Sequence, residues 1–250
     1  MARSPARPNT LPTRSKPGPR ARAGLSEWNE TGATVRRPRV MDRAELPIDT
    51  AELARFLVGK MLVRTLAEGV AGGRIVETEA YGVGDPAGHA YRGMTPRNRA
   101  LFLERGHAYV YLAYGVSFML NLSSETPGVG AGVLIRAIEP TIGIAIMERN
   151  RGAERLRDLA RGPGRLCEAF GITRARDNAC DLTSTASSLW IGDDGTPAAQ
   201  IGDSVRIGLT KGAEARLRYF VAGSRHLSGS RSLNVHAPGM GARRTRGAAC

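Results

Sequence analysis

Met61-Leu-Val-Arg-Thr-Leu66 and Arg74-Ile-Val-Glu-Thr-Glu-Ala-Tyr81, joined through a glycine-rich turn around Gly69-Val-Ala-Gly-Gly73, read as two consecutive strands. Period-two alternation in the second sends Glu77, Glu79 and Tyr81 to one face and Val76, Thr78 and Ala80 to the other. Upstream, Asp49-Thr50 caps a helix over 51–58, whose Leu53, Phe56 and Leu57 share one side and which Gly59 ends. Downstream, 82–100 is a loop rich in Gly, Pro and Arg. Segments 108–113 and 116–123 form a hairpin around Tyr114-Gly115, with Tyr109 and Tyr111 on a common face. A buried strand over 132–138 ends at Pro140. Two or three helices follow between Ile142 and Phe170, divided by Gly162-Pro-Gly164, and late strands occupy 205–209 and 216–221. Strands interrupted by helices without regular β-α-β alternation define an α+β fold.

Chemistry concentrates between Arg74 and Asn121. Five of the six tyrosines lie between positions 81 and 114, together with Glu77, Glu79, His89 and the Thr95-Pro-Arg-Asn-Arg99 run. Aromatic faces, carboxylates, an imidazole and guanidinium groups in one region suit a flat, electron-poor or charged heterocycle held beside a hydrolytic acid. Glu79 is the candidate general base; the competing reading pairs Glu77 and Glu79 with arginines on a solvated face. Phenols argue for a site, because a plain core needs no hydroxyls, although alternating aromatics in a hairpin also serve cross-strand pairing. His89 is a lone histidine in a loop. Thr95, Arg97 and Arg99 either aim at phosphates or form a solvated loop. No Ser/His/Asp, Cys/His or zinc-deaminase pattern is present, His107, His226 and His236 add no cluster, and Gly128-Val-Gly-Ala-Gly132 lacks the Lys-Ser/Thr of a phosphate loop.

The net charge of +13 points to a polyanionic partner, yet six of those units sit in 1–42 and four in 229–250, leaving only three for 43–228. Any nucleic-acid contact of consequence must therefore rest on residues of the central segment. Cys167, Cys180 and Cys250 form no Cys-x-x-Cys pair, which disfavours a disulfide framework or structural zinc and fits a reducing, cytoplasmic compartment. No apolar run approaches the roughly 18–20 residues of a membrane span. The expected organisation is a disordered basic extension over 1–42, one domain over 43–228 and a disordered basic tail over 229–250. Residues 1–26 hold arginines and prolines but no acid, and three readings of them stand: plain disorder, an organellar transit segment, or a dispensable stretch before a start at Met41.

Taken together, Arg74–Tyr81, His89, Thr95–Arg99, Tyr109-Val-Tyr-Leu-Ala-Tyr-Gly115, Asn121-Leu-Ser-Ser124 and Arg136-Ala-Ile-Glu-Pro140 resemble the alkyladenine (methylpurine) DNA glycosylase family in order and approximate spacing. The resemblance covers about 45–225, through Gly162-Pro-Gly-Arg-Leu-Cys-Glu-Ala169 to Arg218-Tyr-Phe220. It implies a single mixed domain with a curved antiparallel sheet, a protruding hairpin and surrounding helices. It also implies a monofunctional enzyme, monomeric and without metal or organic cofactor, acting on double-stranded DNA with damaged purines, associated with the nucleoid if bacterial. By the same resemblance, Glu79 activates water and Arg136 helps place it, while Tyr81, His89 and Tyr111 enclose a flipped base. Asn121 lies at the pocket floor, Tyr114 wedges into the duplex, and Thr95, Arg97 and Arg99 contact DNA. Two departures stand out: the Tyr81-to-His89 interval is about one residue shorter than in familiar members, and Ser117 replaces an aromatic that some members carry. Two other classes compete: a carbohydrate glycoside hydrolase pairing Glu77 with Glu79, for which Trp28 and Trp190 lie outside the region, and a non-catalytic nucleic-acid-binding module.

Overall fold

A computed structural model describes residues 37–152, 155–197 and 200–235; the readings of residues 1–36, Cys250 and most of the basic tail fall outside these. Among the described residues nine strands form one antiparallel sheet: β1 (Arg39–Val40), β2 (Met61–Leu66), β3 (Gly69–Tyr81), β4 (Ala108–Ala113), β5 (Ser117–Ser123), β6 (Gly132–Ile142), β7 (Leu189–Asp193), β8 (Ile201–Ser204) and β9 (Arg218–Val221). The order is β1-β7-β2-β3-β6-β5-β4, with β9 beside the second half of β3 and β8 beside β9. Helices α1 (Thr50–Leu57), α2 (Ile144–Arg151), α3 (Pro163–Ala169) and α4 (Arg174–Asp177) complete the α+β domain.

Helix α1 begins where the Asp49 carboxylate accepts the Ala51 and Glu52 amides at 2.9 and 2.8 Å, and it buries Leu53 and Leu57 completely. Its Ala54 carbonyl accepts the Thr78 hydroxyl at 2.8 Å, which fixes the helix to the face of β3 opposite Glu77 and Glu79. That face carries the main apolar core, including Ile75, Ala80, Leu120, Ile135 and Phe170.

Four expectations need correction. The glycine run is strand rather than turn, since β3 already pairs with β2 from Gly69, and a Cβ at Gly73 would strike the Glu139 carbonyl of β6. Glycine here permits close strand approach. Strand β6 runs through Pro140 to Ile142, because β5 pairs only with Gly132 to Leu134 and leaves the far edge of β6 without a ladder for proline to break. Residues 205–209 form no strand; the late strand is β8, and the Ile207 amide turns to a carboxylate instead. Finally, Val76 does not share the face of Ala80. A register slip between Ile75 and Glu77 moves it into a separate cluster with Ala137, Phe220 and Leu227.

Packing also reaches past 43 and 228. Strand β1 pairs with β7, Met41 is buried, and Asn234 hydrogen-bonds Arg218 at 2.6 Å.

Candidate active site

The same irregularity in pairing builds the site. Glu77 faces Ala137 and Thr78 faces Ile135, so Arg136 is an extra residue in β6, and its bulge directs the guanidinium between the two carboxylates of β3. Arg136 donates to Glu77 at 3.0 Å and to Glu79 at 3.2 Å. Burial alone would lower the Arg136 pKa, but Glu79 and Glu77 outweigh it and hold the group firmly charged.

The two glutamates are both fully buried yet differently employed. Glu77 Oε1 accepts from Arg136, from Arg218 at 2.7 Å and from the Ser228 hydroxyl at 2.7 Å, while Oε2 accepts the Ser228 amide at 2.6 Å. Both oxygens are engaged in holding the fold together. Glu79 Oε1 accepts the Ile207 amide at 2.7 Å, and Oε2 accepts Arg136 and the Tyr81 hydroxyl at 2.8 Å. A hydroxyl is the one contact here that a ligand can readily displace. The paired-carboxylate alternative thus lacks its second free acid.

A cavity of about 360 Å³ opens in front of this cluster, lined by Tyr81, His89, Tyr111, Asn121, Arg136 and Ile207 among others. Glu79 lies directly behind three of these residues. Its volume falls in the range of small-molecule sites. The aromatic wall packs on itself: Tyr109 and Tyr111 stack with centroids 5.5 Å apart, and His89 meets Tyr111 edge-on at 4.3 Å. His89 Nδ1 and the Tyr109 hydroxyl are 2.9 Å apart, and burial, with help from Arg97, lowers the His89 pKa, which favours the neutral ring. Burial, then Tyr109 and Glu79, push the Tyr111 phenol up to about 12, so it remains a neutral hydroxyl. Asn121, opposite Tyr109 in the β4–β5 ladder, donates to the Tyr109 carbonyl at 3.2 Å.

Tyr114, 95% exposed, reaches the cavity rim from the hairpin tip. Its φ of 51° and the 72° of Gly115 place both central turn residues in the left-handed region, where a bulky side chain is strained.

Seven of the ten residues picked from the sequence therefore meet at one cavity, Glu79 through its partners. Thr95, Arg97 and Arg99 do not line it. The Thr95 hydroxyl turns inward to Asn98, whose side-chain amide in turn donates to the His89 carbonyl at 2.8 Å, so Thr95 shapes the His89 loop. Arg97 and Arg99 are exposed. Sequence reasoning assigned no role to Tyr109, Arg218, Ser228 or the Ile207 amide. Only Tyr109 carried a local signal, its shared face with Tyr111.

The model of the methylpurine-DNA glycosylase (MPG) family matches residues 44–225, and the chain belongs to that family. A relative from Mesorhizobium japonicum is 65% identical over 191 residues, covering 76% of this chain and 91% of its own length. Relatives from Paraburkholderia phytofirmans and Koribacter versatilis are 51% and 46% identical over 77% of this chain and 90% and 95% of their own lengths. Each is named "Putative 3-methyladenine DNA glycosylase". Membership makes the chain a DNA glycosylase, a hydrolase of N-glycosyl bonds with DNA as substrate. Among the described residues no helix is long and apolar enough to cross a membrane.

Proposed function

We propose that the protein draws an alkylated or deaminated purine out of duplex DNA into the cavity and hydrolyses its N-glycosidic bond with a water activated by Glu79, leaving an abasic site. The observation that carries this reading is the Glu79–Arg136 pair directly behind an aromatic-walled cavity of base size. A water admitted between Arg136 and Glu79 takes the place of the Tyr81 hydroxyl, and Glu79 removes its proton as it attacks the sugar carbon. Extrusion costs a few kcal/mol, against about 1–3 kcal/mol returned per stacked base by aromatic walls such as Tyr81, Tyr111 and His89. Methylation at a ring nitrogen makes the purine cationic, attracts it to those faces and makes it a good leaving group, so one carboxylate suffices. Arg97, Arg99 and the basic flanks supply phosphate attraction.

In this reading Tyr114 fills the space that the base vacates, and its strained turn conformation, serving no core, supports that use. Tyr114→Ala shifts extrusion back toward the stacked state, with the largest loss for well-paired lesions and the smallest in single strands. A fluorescent base analogue beside the lesion tests the reading directly. Extrusion as full as wild type, or equal losses on paired and unpaired substrates, contradicts it.

Asn121 occupies the floor, where its side chain stands against a 2-amino group. Asn121→Ser therefore raises release of normal guanine from undamaged duplex to a detectable level, measured as abasic sites. Unchanged guanine release would reduce Asn121 to a strand-pairing residue.

A further inference from the structure

Over the Tyr81 ring, and absent from the cavity lining, lies a buried cation that the hydrolysis mechanism does not use. The Arg206 guanidinium carbon sits 4.7 Å from the Tyr81 ring centroid, and the side chain is 1% exposed. Its Nη1 donates to the Ala80 carbonyl at 2.8 Å and to Asp85; its Nη2 donates to the other Asp85 oxygen at 3.2 Å and to the Gly212 carbonyl at 3.1 Å. The Asp85 side chain is 8% exposed and also accepts the Ala87 amide at 2.9 Å. Gly212, at φ +56°, is where the chain passes so close that an added Cβ would stand 3.3 Å from Arg206 Nη2.

A cation behind an aromatic ring opposes the attraction of a second cation to the front face, because the ring is too thin to screen it. A base stacked on Tyr81 would lie roughly 8 Å from the Arg206 guanidinium, given the 4.7 Å behind the ring and an ordinary contact of about 3.5 Å in front. Coulomb repulsion across that distance, at an effective dielectric of about 20, amounts to roughly a thirtyfold penalty on a cationic base and none on a neutral one. Asp85, bonded to both ends of the guanidinium, cancels that charge. The rest of the cluster is balanced in the same way, with Glu77 and Glu79 against Arg136 and Arg218.

We infer that the Asp85–Arg206 pair is a specificity device: Asp85 neutralises the cation behind Tyr81, so the ring keeps its attraction for positively charged methylpurines relative to neutral damaged purines. The inference rests on the proposed stacking of the base against Tyr81, on the face opposite Arg206. Arg206 alone is the positioning part, tying the Tyr81 strand to the loops that carry His89 and Ile207. Asp85 supplies the charge balance.

The test compares the wild type, Asp85→Asn, Arg206→Gln and the double variant in single-turnover release of 7-methylguanine, which is cationic, and ethenoadenine, which is neutral, from otherwise identical duplexes. Asparagine keeps an acceptor for the Ala87 amide and for one guanidinium nitrogen, so the loop retains its anchor. With solvent at the cavity mouth reducing the repulsion, the 7-methylguanine to ethenoadenine ratio falls about tenfold in Asp85→Asn and returns toward wild type in the double variant. A loosened loop slows both substrates alike and leaves the ratio unchanged. An unchanged ratio in Asp85→Asn, or no recovery in the double variant, overturns the inference while leaving the glycosylase reading in place. Failure of the wild type to release either base overturns the glycosylase reading itself.

Discussion

Replacing Glu79 by glutamine lowers single-turnover base release by about 10²–10⁴-fold, the usual contribution of a positioned general base, while affinity for damaged duplex survives. Glutamine keeps two of the three contacts and gives up the one from Arg136 Nη1, a donor that its NH₂ cannot accept. Its carbonyl oxygen still accepts the Ile207 amide, its NH₂ meets the Tyr81 hydroxyl, which can accept, and Arg136 retains Glu77 and Ser228. What is lost is the ability to take a proton from water. Parallel single-turnover and binding titrations separate the two. Weakened binding in proportion to the lost activity would mean that Glu79 holds the pocket rather than acts within it.

The neighbouring carboxylate gives the opposite outcome. Glu77→Gln costs about 3–5 kcal/mol of folding stability, the usual consequence of breaking one side of a buried ion pair, because Arg218 and Arg136 lose their shared counter-charge. Its NH₂ must also confront either the Ser228 amide or the two guanidinium groups, and all of these are donors. Against a total of about 5–15 kcal/mol, that loss moves the denaturation midpoint far. Burial acts to raise the Glu77 pKa, but Arg218, Arg136 and the Ser228 amide outweigh it and hold the carboxyl below its ordinary value. The group therefore contributes stability above the unfolded carboxylate pKa and loses it as pH falls through the lower folded value. Denaturant titrations at neutral and acid pH read both effects, and in Glu77→Gln the acid-dependent part shrinks. A variant that folds as firmly as wild type yet releases no base would instead make Glu77 a second catalytic carboxylate.

How much of this was legible in sequence follows from the range of each interaction. Asp49 capping α1, β2 over Met61–Leu66 and the hairpin around Tyr114-Gly115 all depend on near neighbours, and the sequence pattern places them correctly. Gly73 misleads because its reason is the backbone of β6, more than sixty residues away. Pro140 misleads because its strand is unpaired by β5 at that point, a fact of sheet order rather than local pattern. Strand β7 went unread although Leu189 and Ile191 alternate into the core, and β1 is too short to read without its partner.

The site divides in the same way. Its cavity-facing aromatics lie close together in sequence, at the end of β3, in the loop that follows and on one hairpin. The residues behind them arrive from far along the chain: Ser228 is 151 positions from Glu77, and Arg206 is 121 from Asp85. Nothing in a loop serine or a lone arginine announces such partners. A boundary drawn at 228 accordingly cut beside a residue that holds the central ion-pair cluster.

The most direct test of water attack directed by Glu79 is base release from a 7-methylguanine duplex in the presence of borohydride, scored for both alkali-labile abasic sites and protein–DNA adducts. Abasic sites form from the methylated duplex, none from its unmodified twin, and no adduct is trapped, because water rather than a protein amine attacks the sugar. Absence of abasic sites despite intact DNA binding, or a borohydride-stabilised adduct, would contradict it.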